Sequence, residues 1–541
     1  MESTPQSVWT RRHDLRFPGW AQKLLTSLFR TLFSRRALRR YLFGLASLVT
    51  LIALFYAEED WRGHFAWNSY ARKMEAKGVN LNWQAFVPPP VPDDQNAAMT
   101  PLFAGLFDYV WSSNNTVFRD TNIWQRMSHV SLNGQPANPA PKLDGWVQGR
   151  AVNLKEWQTY FRRTKFAQTN GSWAFLPMRE TPGQPGADVL MALGEISTEL
   201  TELRQASTRP FSRFPIHYAE LPMALLPHMG FLKRLSQSCQ LRAIAELETG
   251  AIPEAAADIK LSLFCAQAAQ SEVFFGVLPA IRALILNDDM QAVWEGLAAH
   301  RWSDAQLQEF QRALAAIDLL SDYQTAVRAD AAFRCGWIDK IPNNPGLFVV
   351  YENNSENQYR FAAALPRGWY FQNELTAARF FNEQWLQDAS PEAQRVYPGA
   401  SRTNYLRFCQ IPKTPYSFVF KQLAIAISPQ DLAHSQTDIN LARVACALER
   451  YRMAHGQFPE KLEMLTPDCI EKLPHDLING EPLKYRVLRN GKFVLYSVGW
   501  NEHDDGGSFP GTDDKRNPNY QNTFGYHEET GDWVWRYPDG Q

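Results

Sequence analysis

The chain has 541 residues, a formal net charge of −1, 45% hydrophobic content and 18 Trp. That length sets an expectation of two or more domains with sizeable cores, and the balanced charge excludes a global electrostatic case for nucleic acid. The six cysteines, Cys239, Cys265, Cys335, Cys409, Cys446 and Cys469, stand far apart with no C-x-x-C pair, which excludes a zinc-ribbon pattern and a dense disulfide framework.

Residues 1–40 carry nine basic and two acidic side chains. Trp20, Leu24, Leu25, Leu28, Phe29 and Leu32 recur there at helical spacing, so this basic segment either lies on an anionic inner leaflet or is a tail that only sets topology. Tyr41 to Ala57, YLFGLASLVTLIALFYA, is seventeen residues without a charge. As a helix it spans roughly 26 Å, close to the apolar core of a bilayer. Arg35, Arg36, Arg39 and Arg40 precede it, and Glu58, Glu59 and Asp60 follow. Basic residues are held on the cytoplasmic side, so the expected orientation is N-terminus inside and the remaining chain outside, in the inner membrane of a cell envelope. A cleaved signal peptide fits less well, because its basic region would be forty residues long and Phe55 would occupy the −3 position before Ala57.

Residues 58–151 read as a stalk, a proline-rich spacer and a polar loop. The stalk is helical and stops at Gly78. Pro88, Pro89 and Pro90 force an extended spacer, and residues 112–143 read as a long surface loop. From 152 to 430 the pattern is helical. DVLMALGEISTELTELRQAS has apolar residues three and four apart. LRAIAELETGAIPEAAADIKLSLFCAQAA reads as helix, Gly250 turn, helix. A third helix runs from Val273 to Ala298. A fourth starts at Ser303, where Ser303 and Gln306 form a capping box, and its apolar face continues through 304–330. A helix over Asn373–Gln387 follows a loop-rich stretch. His217 and His228 lie within this region and could meet, although a lone histidine in a bundle is usually structural.

The last hundred residues differ in kind. Asp438 to Ala454 is an amphipathic helix stopped by His455-Gly456. PLKYRVL and KFVLYSVG flank an Asn490-Gly491 turn and predict a hairpin. An acidic glycine-bearing loop, WNEHDDGGSFPGTDDKR, follows, and GDWVWRYP alternates as a final strand. The expectation is a mainly α chain with a C-terminal α+β domain over 431–541.

Residues 435–510 resemble the globular domain of the major pseudopilins of type II secretion, on the helix LARVACALERYRMAHGQFPEKLEML, the link LPHDLINGEPLKYR and the strand and loop KFVLYSVGWNEHDDGG. The resemblance implies a small domain of one helix packed on an antiparallel sheet. It also implies a calcium site in the loop after the strand, where Asp504, Asp505, Asp513 and Asp514 stand. The chain departs from that family in lacking its processing site at the membrane helix and in the 380 or so residues between helix and module. WQAFVPPPVPDDQN, RPFSRFPIHY, VWEGLAAHRWSDAQL, LPRGWYFQNEL and GDWVWRYP resemble uncharacterised membrane-anchored bacterial proteins, which implies an architecture and no mechanism.

No G-x-x-x-x-G-K-[ST], H-E-x-x-H or G-x-S-x-G occurs, so the motifs of phosphate loops, zinc proteases and nucleophile elbows are missing. The acidic loop is the best site in the sequence. Calcium takes six to eight oxygens from carboxylates and carbonyls. An EF-hand reading fails because Thr512 stands where the bidentate Glu belongs, leaving a non-helical calcium loop or a solvated turn. Two functions are carried forward. One is a non-enzymatic, membrane-anchored envelope scaffold or binding protein that meets envelope or secretion-apparatus partners. The other is an extracytoplasmic hydrolase with a site between the helical and C-terminal regions.

Overall fold

The computed structural model describes residues 35–508 apart from 113–114, 121, 133–138, 168–179, 219–223, 273–276, 345–346, 348–363 and 424–428, together with 529, 531–536, Trp20, Lys23 and Ser27. The basic segment before Arg35, read either as a surface helix or as a tail, therefore lies almost wholly outside the described residues.

The first element is one uninterrupted helix, α1, Arg35–Glu75, of 41 residues, roughly 60 Å long at the helical rise. Among the described residues it is the helix long and apolar enough to cross a membrane, and its apolar window buries nothing against the rest of the chain. Beyond the apolar part its character changes. Glu59, Gly63, Tyr70 and Met74 are buried and fall on one face at helical spacing. The predicted stalk is thus the same helix, docked on the body along its outer half.

Residues 112–143, expected as loop, contain part of a hairpin, β1 (Tyr109–Ser112) with β2 (Asn115–Phe118), and a short helix, α2 (Asn122–His129). Ile123 and Met127 of α2 are buried. Eight residues give too short a window for periodicity to register. The proline-rich spacer is pinned to the body, with Arg213 donating to the Pro88 carbonyl at 3.0 and 3.2 Å.

The body is built from α3 (Leu154–Ala167), α4 (Pro185–Leu193), α5 (Ser197–Ala206), α6 (Pro227–Thr249), α7 (Ile252–Ala268), α8 (Val277–Ala298), α9 (Asp304–Ala315), α10 (Leu319–Lys340), α11 (Arg367–Glu383), α12 (Pro398–Gln410), α13 (Phe418–Leu423) and α14 (Gln430–His455). The α6–α7 turn at Gly250 (φ 84°) and the stop of α14 at Gly456 (φ 80°) match the sequence signals, because only a residue without Cβ takes that left-handed conformation without strain. The Ser303–Gln306 capping box is present in both directions. The expected run 304–330 is two helices, since Asp318 accepts from the Leu320 and Ser321 amides and starts α10 afresh. Ser303→Ala should lower stability by about 1 kcal/mol, read as a small fall in thermal midpoint with an unchanged helical spectrum.

A two-residue antiparallel pair, β3 (Ala389–Ser390) with β4 (Arg395–Val396), lies between α11 and α12. The C-terminal sheet is three-stranded and antiparallel in the order β5 (Lys484–Val487), β6 (Phe493–Ser497), β7 (Trp533–Trp535). Helix α14 packs on β6 and β7 with one side and on α8, α9 and α10 with the other. Trp535 meets Trp146 at 5.1 Å between ring centroids, and Trp294 donates its indole N–H to the Arg536 carbonyl at 2.5 Å. One continuous buried apolar cluster runs from Tyr70 to Trp535, so the compositional change near 430 is not a break in the core. All six cysteines are free thiols, and Cys409 alone of them is exposed.

Candidate functional site

A polar constellation lies where α1 leaves its apolar stretch. Glu59 is 6% exposed. Its carboxylate accepts from Arg62 Nη2 at 2.6 and 2.7 Å, from Trp369 Nε1 at 3.0 Å and from Tyr416 Oη at 3.3 Å. The Arg62 guanidinium also lies 5.1 Å from the Tyr416 ring centroid. The hydrogen bonds to Glu59 and Tyr416 raise its pKa further. One residue along, Asp60 Oδ1 accepts from the Gly368 amide at 2.7 Å. Helix α11 begins at Arg367 after Pro366, which provides no side-chain cap. Asp60 therefore caps α11 from another helix, placing a negative charge at its positive end.

The two helices run parallel. Tyr56 Oη donates to the Ala364 carbonyl, His64 packs on Phe371 and Arg379 sits over Tyr70. Their closest approach is glycine on glycine. A Cβ on Gly63 would collide with the Gly368 carbonyl, and a Cβ on Gly368 would collide with the Glu59 carbonyl. Small residues let helix backbones come this near. On the far side of α1, Trp61 and Phe65 stack at 5.8 Å and stay 69% and 59% exposed. Exposed aromatics just past an apolar span suit the headgroup level of a bilayer.

The acidic loop is held in a defined shape. Asp504 Oδ1 accepts from Tyr496 Oη and from the Gly506 amide, each at 3.0 Å, with Lys484 Nζ at 3.7 Å from its other oxygen. The Gly506 amide bond is the main cause of a lowered Asp504 pKa. Asp505 Oδ2 accepts from Asn501 Nδ2 at 2.9 Å. Asp513 and Asp514 lie outside the described residues. Among the described residues no group of three or more His, Cys, Asp or Glu is placed to hold a metal ion. Sequence reasoning missed Asp532, which accepts from the Asp505 and Gly507 amides at 3.2 and 2.6 Å. It comes from the residue before β7, 25 or more positions away, and no spacing rule links it to the loop.

His217 and His228 sit on different aromatics. His217 packs on Tyr109 at 4.7 Å, and His228 lies between Phe214 and Phe107 at 4.3 and 5.3 Å. His228 is fully buried, with neither ring nitrogen hydrogen-bonded, and burial lowers its pKa to about 3. A second sealed group joins α6, α7 and α8. Asp289 Oδ1 accepts from Ser236 Oγ at 2.7 Å and from Ser262 Oγ. Burial raises the Asp289 carboxyl to about 7 against those two bonds. All three residues have no solvent exposure.

An open cleft of about 450 Å³ lies between α9, α14 and the segment 468–472. Gln308, Gln311, Arg312, Arg443, Arg450 and Lys472 supply its polar lining, with Asp468 and Glu471 beside them. Cys469 is there too, and burial raises its thiol above the ordinary value, the reverse of what an activated nucleophile needs. In comparisons with protein-family models, curated proteins and solved structures, nothing matches this chain.

Proposed function

We propose that this protein is a single-pass, membrane-anchored envelope scaffold or binding protein. Its N-terminus is cytoplasmic and its body is extracytoplasmic at the inner membrane. The observation that carries this reading is the continuity of α1. One helix supplies the apolar, unburied span, and its next two turns carry Glu59, Asp60, Arg62 and Gly63 into the clamp on α11. A flexible tether would only localise the body. A helix clamped within a turn of the span also fixes how the body faces the membrane, which suits presentation of surfaces to envelope or secretion-apparatus partners. Orientation rests on the exposed Arg35, Arg36, Arg39 and Arg40 in the first turns of α1. A reporter active only outside the cytoplasm, fused after Thr100, should give signal. Signal from a cytoplasm-only reporter at that junction would reverse the topology and remove the envelope reading.

The packing of α14 on β6 and β7 of the three-stranded sheet supports a pilin-like arrangement for the C-terminal region, and calcium in its acidic loop belongs to the same proposal. Asp532 adds a carboxylate beside Asp504 and Asp505. Burial raises its pKa and the two neighbouring charges add to the rise, a repulsion that a divalent cation would relieve. Millimolar calcium should raise the thermal midpoint of the full chain relative to chelator, and Asp505→Ala should abolish the difference. Equal midpoints with and without calcium in the wild type leave a solvated turn.

A further inference from the structure

The body has a second cavity, of about 500 Å³, whose lining includes Arg204, Lys260 and Arg282. Each of these cations is already paired: Arg204 with Asp258 at 3.0 Å, Lys260 with Glu309 at 2.9 Å, and Arg282 with Asp322. The α9–α14 cleft is different. Arg450 is bound there as a fixed wall, by Asp304 Oδ1 at 2.7 Å, Gln311 Oε1 at 3.1 Å and the Cys469 carbonyl at 2.7 Å. Gln311 is fixed in turn by the Arg443 and Cys469 carbonyls at 3.2 and 3.1 Å. Arg443 has no carboxylate partner among the described residues. Among the described residues its guanidinium makes one hydrogen bond, Nη1 to Asn440 Oδ1 at 3.4 Å, and its buried Nε has none. Burial lowers its pKa, with no acid opposing the effect.

We propose that the α9–α14 cleft binds the carboxylate or phosphoryl group of a small organic anion, with Arg443 as the central donor and Arg312 and Lys472 at the rim. A half-buried guanidinium left without a counter-ion costs free energy, and an oxyanion restores that loss through charge-assisted, fork-shaped hydrogen bonding. The wall of the cleft is held before the ligand arrives, because Arg450 and Gln311 are tied to the backbone of α14 and of segment 468–472. Ala315 and Ile470 give the cleft an apolar surface for a carbon skeleton. Asp468 and Glu471 lie exposed in the same lining and select against polyanions, so the ligand class is one or two charges on a small body. Ligand bound there would touch α9, α14 and the link to the sheet together, tightening the junction of helical body and sheet. This site goes beyond the scaffold reading, because a ligand would make the anchored body responsive to a solute.

The test uses the full chain in detergent, titrated with sodium phosphate or sodium succinate against sodium chloride at equal ionic strength. A saturable rise in thermal midpoint with either anion, and not with chloride, is the expected result. Phosphate alone marks a phosphoryl ligand, and succinate alone marks a carboxylate. Arg443→Gln should weaken binding by roughly 10–100-fold, the range for a lost charged hydrogen bond. No saturable response to either anion overturns the site, as does wild-type affinity in folded Arg443→Gln. Should Arg443→Gln fail to fold, the exposed double variant Arg312→Gln/Lys472→Gln decides. Weaker binding supports the site, and unchanged affinity overturns it.

Discussion

Gly368→Ala should release the outer half of α1 from the body. The added Cβ meets backbone, the Glu59 carbonyl and its carbon and then the Asp60 Cα, so no side-chain rotation relieves it. The helices must separate, and the contacts made at that crossing go with them. These are the Asp60 cap on α11, the Trp369 bond to Glu59 and the Tyr416 hydroxyl bond to the same carboxylate. Over-packing of this kind with loss of a cap costs about 2–5 kcal/mol. Glu59 then becomes a half-exposed acid and Tyr70 loses the cover of Arg379. The measurement is limited proteolysis in detergent with amide exchange over 59–75. The expected result is rapid cleavage and exchange there, while α6–α8 stay protected. Gly63→Ala should do the same from the opposite helix. Gly44→Ala is the control, since a Cβ there meets nothing within 4 Å. Unchanged protection in Gly368→Ala would mean that the body is tethered and not clamped.

How much of this was legible in the sequence depends on whether the signal was local. The Ser303 capping box, the Gly250 turn, the Asn490-Gly491 hairpin and the Gly456 stop are each specified within four residues, and each stands where expected. The apolar span was equally readable, because its composition alone defines it. The clamp was not. Its face on α1 is Glu59, Gly63, Tyr70 and Met74, a mixture with no hydrophobic period, and its partner is about 300 residues away. Helix α14 starts at Gln430, eight residues before the expected Asp438, because Gln430, Ser435, Gln436 and Thr437 are polar and yet buried. Gln436 explains its own burial. It accepts from the Leu319 amide at 2.7 Å and donates to the Ile317 carbonyl at 3.3 Å, satisfying the backbone at the break between α9 and α10. Asp318 was the readable cap signal at that break, and the apolar face running through it masked it. Arg443 gave no hint, since on a helical wheel a basic residue near an apolar face reads as solvent-facing.

The two sealed titratable groups should tilt the stability of the body in opposite directions with pH. His228 ionises at about 3 in the fold and at about 6.5 when unfolded. Unfolding therefore takes up a proton between those values. The stabilising contribution is complete above pH 6.5 and is lost as pH falls toward 3, by up to about 5 kcal/mol. Asp289 ionises at about 7 in the fold and near 4 when unfolded. Here the fold holds a proton that the unfolded chain releases, so stability is complete below pH 4 and is lost as pH rises toward 7, by up to about 4 kcal/mol. Phenylalanine at 228 keeps the stack between Phe107 and Phe214 and removes two unpaired nitrogens. The advantage of His228→Phe over wild type should therefore grow by roughly 3 kcal/mol between pH 7 and pH 4. Asn at 289 keeps an oxygen for Ser236 and Ser262 and removes the titration. Its new amide costs the same at every pH, so its standing against wild type should improve by roughly 4 kcal/mol from pH 4 to pH 8. Denaturant midpoints at pH 4, 6 and 8 for the three proteins read both slopes at once. Parallel pH profiles for wild type and His228→Phe would mean that water reaches the Phe107–Phe214 sandwich in solution. Parallel profiles for Asp289→Asn would mean the same for the Ser236–Ser262 pair.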